Sequence, residues 1–125
     1  MRKPISTTAA PAAIGPFSQA IVANNFLFIS GQLPIDPATG KFASDEARGQ
    51  AVQSLKNLAA IAAEAGADLK NASKIGIFLT DMADFAAVNE VYAEAFAEPF
   101  PARSTVQVAA LPLGAKVEIE AIVPL

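Results

Sequence analysis

The residues of this chain best placed to do chemistry stand near its C-terminal end. Arg103 lies just behind Pro99 and Pro101 in FPARSTVQV (Phe100–Val108), and Glu118 and Glu120 alternate in KVEIEAIV (Lys116–Val123). Arg103 is either a solvated charge on a sheet edge or the one cation of a pocket. The choice of catalytic groups is narrow, because the chain has no cysteine and no histidine. Disulfides, thiolate nucleophiles and cysteine metal sites are excluded, and the commonest general base and metal ligand is missing. Chemistry must come from carboxylates, Arg, Lys, Ser/Thr, the lone Tyr92 and backbone groups.

Composition narrows the setting. At 125 residues the chain fits one domain, residues 1–125, and should bury roughly two-thirds of its unfolded surface. It is 53% hydrophobic with much of that from alanine, and no apolar run reaches the roughly 18 residues of a membrane span. MRKPISTTAAPAAIGPF carries two basic residues without a continuous apolar stretch after them, so no signal peptide is expected and a cytoplasmic location is the default. A net charge of −3 and scattered basic residues argue against nucleic acid as a partner.

The elements that must position these residues follow from periodicity. Short strands are expected around Pro4–Ser6 and Ser18–Ala23, with Asn24-Asn25 as a turn. FLFIS (Phe26–Ser30) is a compact strand ended by Gly31, and QLPIDPATGKF reads as a loop. From a cap at Ser44 or Asp45, Val52, Leu55, Ala59 and Ala62 recur at helical spacing with Leu58 and Ile61, up to a C-cap at Gly66. SKIGIFLT (Ser73–Thr80) is a strand. Asp84 caps a second helix with Phe85, Val88, Tyr92 and Phe96 on one stripe, which makes Tyr92 a core residue. Strands Arg103–Val108 and Lys116–Val123, joined by AALPLGA, close the chain. This order predicts an α+β fold with helices layered on one face of a sheet.

Reading the last two strands as an antiparallel hairpin puts Arg103, Thr105 and Gln107 on the face of Lys116, Glu118 and Glu120. Arg103 then lies opposite or diagonal to Glu118 or Glu120. On a wet face such a pair contributes about 0–1 kcal/mol. FLFIS, however, is apolar on both faces, and Gly76 and Phe78 sit on the face away from the helices. Another copy of the chain is therefore expected to cover that face, leaving the arginine and glutamate at the rim of an interface.

PARSTVQVAALPLGAKVEI (Pro101–Ile119) resembles the signature of the RidA (YjgF) family of reactive-intermediate enamine/imine deaminases. APAAIGPFSQA (Ala10–Ala20), ISGQLPIDPATG (Ile29–Gly40), QSLKNLAAIAAEAG (Gln53–Gly66) and DFAAVNEVYAEAF (Asp84–Phe96) match the family in the same order. The resemblance implies a chorismate-mutase-like α+β fold and a homotrimer whose sheets form a central barrel, with sites between subunits. The implied reaction is hydrolysis of 2-aminoacrylate, 2-aminocrotonate and related imines to 2-keto acids and ammonia, which protects pyridoxal-phosphate enzymes. No cofactor and no metal are implied.

By the same match, Arg103 holds the substrate carboxylate, for which a guanidinium fork suits better than a lysine. Glu118 positions or activates the attacking water or relays its proton. The N–H of Gly31 and the carbonyl of Thr105 complete the polar contacts, with Ser30 alongside and Asn89 as a further contact. Phe17 stands where the family often has tyrosine, and Thr105 where many members have cysteine. Glu120 is expected to be a sheet or interface charge. Two other readings of the pocket are a sensor that binds 2-keto acids without turnover and a ribonuclease or translation inhibitor, which the acidic composition disfavours.

Overall fold

The computed structural model describes all 125 residues. Strands β1 (Lys3–Ile5), β2 (Ala20–Ala23) and β3 (Phe26–Gln32) open the chain. Asn24 and Asn25 link β2 to β3 with φ of 51° and 64°, the left-handed pair that a two-residue hairpin turn needs and asparagine tolerates. The segment expected as loop holds a small hairpin of its own, β4 (Ile35–Asp36) with β5 (Lys41–Phe42). Then follow α1 (Ala47–Glu64), β6 (Lys74–Leu79), α2 (Phe85–Ala95), β7 (Ala102–Gln107) and β8 (Val117–Pro124).

Six strands form one sheet in the order β1-β2-β3-β8-β6-β7. Neighbours are antiparallel except β6 and β7, which run parallel. Because β3 and β6 both oppose β8, they are parallel to each other, and α1 is the crossover between them. The helix α2 makes the second crossover, from β6 to β7. Parallel strands require such connections, so both helices are part of the sheet's wiring. The expected α+β architecture, with two helices on a mixed sheet, is the one observed.

The terminal hairpin does not form. Strand β6 lies between β7 and β8, and Arg103 is opposite Ile75 rather than a carboxylate. The reason lies in burial. Val117, Ile119, Ala121 and Val123 of β8 are all buried, which calls for a central position, whereas β7 offers Arg103, Thr105 and Gln107 on the same side and suits an edge. Alternation identifies which residues share a face and is silent about which strand lies alongside.

The core joins Leu27, Ile75, Ile77, Leu79, Val117, Ile119 and Val123 of the sheet to Leu58 and Ile61 of α1 and to Val88 and Tyr92 of α2. The buried face of α1 is turned from the expected stripe. Val52 and Ala59 are exposed, while Gln50, Ser54 and Asn57 are buried. The polar members hold flanking loops in place. Asn57 Nδ2 donates to the carbonyls of Leu33 and Ile35 (3.1 and 2.9 Å), and Gln50 Oε1 accepts from the N–H of Lys116 at 2.8 Å. Gly66 ends α1 as expected, with φ of 77° and the N–H of Ala67 donating to Ala62. The expected N-caps differ. Glu46 occupies that position for α1 without a side-chain bond, Ser44 Oγ accepting instead from the N–H of Glu46. Asp81 caps the single turn before α2 by accepting from Ala83, and Asp84 makes no capping bond.

The face away from the helices carries Phe26, Phe28 and Val106 exposed, with Ile21, Phe78 and Ile122 half-buried. No helix is long and apolar enough to cross a membrane.

Candidate active site

Arg103 points to the helix side of the sheet and is tightly positioned. Its Nη1 donates to Asn89 Oδ1 at 2.8 Å, and its guanidinium lies 4.6 Å from the Tyr92 ring centre and 5.7 Å from that of Phe85. Asn89 can meet it because it stands three residues before Tyr92, on the adjoining strip of α2. A cation over aromatic faces, with one arm bound, has lost much of the rotamer freedom that a free arginine would give up on binding. A cavity of about 410 Å³ opens beside it, lined also by Ala93, Phe100 and Pro101. Burial pushes the Tyr92 phenol upward against the pull of Arg103, so the ring stays neutral under the guanidinium. The Tyr92 hydroxyl and Thr105 Oγ1 are both buried without hydrogen-bond partners.

The backbone of β7 adds acceptors and donors. Ala102 N–H donates to Ser73 and Val108 N–H to Leu79, both on the β6 side, at 3.0 and 2.8 Å. Backbone groups of successive strand residues alternate in direction, so those of Arg103, Thr105 and Gln107 face the open edge of the sheet. The Thr105 carbonyl therefore stands where a ligand can reach it.

Glu118 belongs to the opposite face. The register of β3 against β8 pairs Ile29 with Ala121 and Gln32 with Ile119, so Ser30 and Gly31 together oppose Glu120 in a bulge. The Glu118 side chain lies over that bulge. A β-carbon built on Gly31 would stand 2.8 Å from Glu118 Cδ and 3.0 Å from Oε2, so a glycine is what gives the carboxylate its place. Burial raises the Glu118 carboxyl above its ordinary range, and the negative charge of Glu120 raises it further.

Phe17, Ser30, Gly31, Leu113, Glu118 and Glu120 border one cavity of about 730 Å³. Phe17 is 53% exposed at its rim. The loop that carries Phe17 is tied down by the buried Gln19, whose amide accepts from the N–H of Thr7 (2.7 Å) and donates to the carbonyls of Thr7 and Pro11 (3.0 and 2.8 Å). Ser30 Oγ donates to the Ser18 carbonyl at 2.6 Å, so this hydroxyl braces the wall.

Within one chain the predicted residues thus form two groups. Arg103, Asn89 and Thr105 meet at the edge of the sheet beside α2, and Phe17, Ser30, Gly31 and Glu118 meet on the other face. The six-stranded sheet stands between them, and a ligand of a few heavy atoms cannot touch both. Tyr92, the floor under Arg103, and Gln19, the anchor of the Phe17 loop, are additions. Tyr92 shares the apolar stripe of α2, so only its place one turn from Asn89 hinted at more. Gln19 gave no local signal, since its partners lie 8 and 12 residues back. No three acidic side chains converge into a cage for a cation.

Comparison with known proteins shows the family of the chain. The family model described as Endoribonuclease L-PSP matches residues 7–125. A RutC family protein, y4sK, of Sinorhizobium fredii is 58% identical over 125 residues, covering 100% of this chain and 99% of its own length. The 2-iminobutanoate/2-iminopropanoate deaminase of Mus musculus is 50% identical over 122 residues, 98% of this chain and 90% of that protein. The crystal structure of RidA from the Antarctic bacterium Psychrobacter sp. PAMC 21119 superposes with a TM-score of 0.94 at 46% identity, covering 98% and 99% of the two chains. With the motifs, the fold and these relatives in agreement along nearly the whole sequence, the chain belongs to the RidA (YjgF) family.

Proposed function

We propose that this protein is a homotrimeric deaminase that hydrolyses the enamine/imine forms of small 2-amino acids, such as 2-aminoacrylate and 2-aminocrotonate, to 2-keto acids and ammonia. The observation that carries the proposal is the division of the site. An arginine held in place by Asn89 and Tyr92 and a glutamate with a raised pKa occur in one chain, each beside its own open cavity, on opposite faces of the sheet. A second copy seated against the exposed Phe26, Phe28 and Val106 would place the Arg103 group of one subunit against the Glu118 group of the next. The similarity to a protein named 2-iminobutanoate/2-iminopropanoate deaminase supports the same chemistry.

The assembled site can carry the reaction with its own side chains. Arg103 takes the substrate carboxylate in its free arm, while Asn89 and Tyr92 hold the other. The edge carbonyl of Thr105 accepts a hydrogen bond from the iminium nitrogen, and the N–H of Gly31 donates into the site. Glu118 holds a water beside the iminium carbon. As the water oxygen bonds to that carbon, the C=N pair moves to nitrogen and one water proton passes to Glu118. The protonated Glu118 returns this proton to the amine of the carbinolamine. The C–N bond then breaks with the oxygen lone pair forming C=O, and ammonia departs as the hydroxyl proton leaves through Glu118 to solvent. A carboxyl whose pKa lies above its usual range suits both transfers. Phe17 covers the apolar end of the substrate.

The test is to generate the enamine with a serine or threonine dehydratase and follow keto-acid release with and without this protein. Acceleration that disappears in Arg103→Ala is expected. A folded, trimeric protein that leaves the rate unchanged would refute the deaminase reading and leave only ligand binding for the pocket.

A further inference from the structure

Leu113 adopts a backbone conformation that leucine avoids. In the turn at residues 111–115, between β7 and β8, Pro112 leads and Leu113 follows with φ of 61° and ψ of 17°, then Gly114 with φ of 74°. The N–H of Gly114 donates to the Leu111 carbonyl at 3.3 Å and that of Ala115 to the Pro112 carbonyl at 3.2 Å, so the turn is closed twice. The third place of a proline-led turn with positive φ calls for glycine or asparagine, and a bulky residue there is strained. The leucine side chain finds no place in the core in return, being 77% exposed.

What Leu113 does border is the cavity of about 730 Å³ that Glu118 and Gly31 also line. Ile14 and Phe17 border it as well, from the loop tied down by Gln19, and are 88% and 53% exposed. That loop turns tightly about Pro16, where the N–H of Phe17 donates to the Gly15 carbonyl at 2.9 Å. Single exposed apolar residues are ordinary, but three around one opening, on two loops held by their own hydrogen bonds, form a patch. Phe26, Phe28 and Val106, which a second copy is proposed to cover, do not border this cavity. With the substrate carboxylate at Arg103 and the iminium carbon beside Glu118, the part left to meet Ile14, Phe17 and Leu113 is the substrate's own side chain.

We propose that Leu113 is a specificity-determining residue: with Ile14 and Phe17 it forms an apolar mouth that grips the substrate's side chain and favours long apolar chains over the short ones of 2-aminoacrylate and 2-aminocrotonate. This rests on the deaminase reading for the substrate's orientation and on the strained turn for the choice of residue. Each carbon buried against such a wall gives about 4-fold in affinity. Three further carbons gripped in full would give about 60-fold, and loss of one wall of the three should remove about 4- to 10-fold of it.

The experiment compares the dissociation constants of pyruvate and 4-methyl-2-oxopentanoate, 2-keto acids that differ by three carbons, by NMR titration of the whole protein. Wild type is expected to prefer the longer acid, and the preference to fall about 4- to 10-fold in Leu113→Ala. Leu113→Gly, whose backbone suits φ of 61°, should show the same fall and serves if the alanine disturbs the turn. Leu113→Met should keep the preference. The ratio of kcat/KM for the imines of leucine and alanine should follow the same order. A preference unchanged in both truncated variants, with a weakened trimer or without, would overturn the proposal, and so would a wild type that binds the two acids equally or binds neither. Binding needs no turnover, so a wild type without deaminase activity would sink the preceding proposal while the ratio of affinities still decides the role of Leu113.

Discussion

Gly31→Ala isolates the seat of Glu118 from everything else the glycine could do. The new β-carbon would stand 2.8 Å from Glu118 Cδ, where ordinary contact begins at 3.4 Å. The carboxyl group must therefore retreat by ~0.6 Å or more, and a misplacement of about 1 Å costs about 100-fold in rate. That corresponds to about 2.7 kcal/mol of transition-state stabilisation. The backbone has no reason to follow, because the crowded atoms end a flexible side chain and Gly31 is not in the left-handed region. A compatible Gly→Ala change favours the folded state by about 0.4–1 kcal/mol, which offsets the strain of moving the side chain. The assay is kcat/KM in the dehydratase-coupled reaction beside thermal unfolding, for Gly31→Ala, Glu118→Gln and the double variant. The expected pattern is a loss near 100-fold with little change in Tm, and a much smaller loss when alanine is added to Glu118→Gln. Full activity in Gly31→Ala, or an undiminished loss on the Glu118→Gln background, would refute the reasoning.

Further outcomes follow from the same geometry. Arg103→Lys keeps the charge but loses the fork, so KM should rise about 10- to 100-fold with kcat less affected, as steady-state kinetics would read. Glu118 is destabilising when ionised, because its folded pKa is raised above the unfolded value. That cost is fully present above the folded pKa, fades as pH falls through it, and is gone below the unfolded one. Glu118→Gln should therefore unfold at a higher urea concentration than wild type at pH 7, with the advantage fading toward pH 4, provided the amide finds the same space. Asn57→Ala removes both bonds to the Leu33–Ile35 segment and should lower unfolding free energy by about 2–3 kcal/mol in urea denaturation.

The helices, the strand FLFIS, the Asn24-Asn25 turn and the Gly66 C-cap were legible because each is written in residues close together in the chain. The placing of β8 between β3 and β6 was not, since an apolar alternation such as Val117, Ile119, Ala121, Val123 says that a strand is central without saying between which neighbours. That one ambiguity moved Arg103 from the face of the glutamates to the face of α2. Asn89 then became legible as its partner only through the fold, because the two are 14 residues apart on different elements. The buried face of α1 was blurred for another reason. Its alanines fit either side of a helix, and Gln50, Ser54 and Asn57 are buried through bonds to distant loops or, for Ser54, through packing alone. Glu118 was reached through the likeness of its strand to a known signature; its seat on Gly31 needed the bulge in β3.

The proposed division of the site between subunits is tested most directly by complementation. Arg103→Ala and Glu118→Gln proteins, each inactive alone, would be unfolded together, refolded as an equal mixture and assayed for imine hydrolysis. If the protein is the proposed trimer and each site takes its arginine from one subunit and its glutamate from the next, about a quarter of all sites in the refolded mixture carry both wild-type residues. Recovery of about a quarter of wild-type activity is the predicted result. A mixture as inactive as its parents, with subunit exchange verified, would contradict a site shared between subunits.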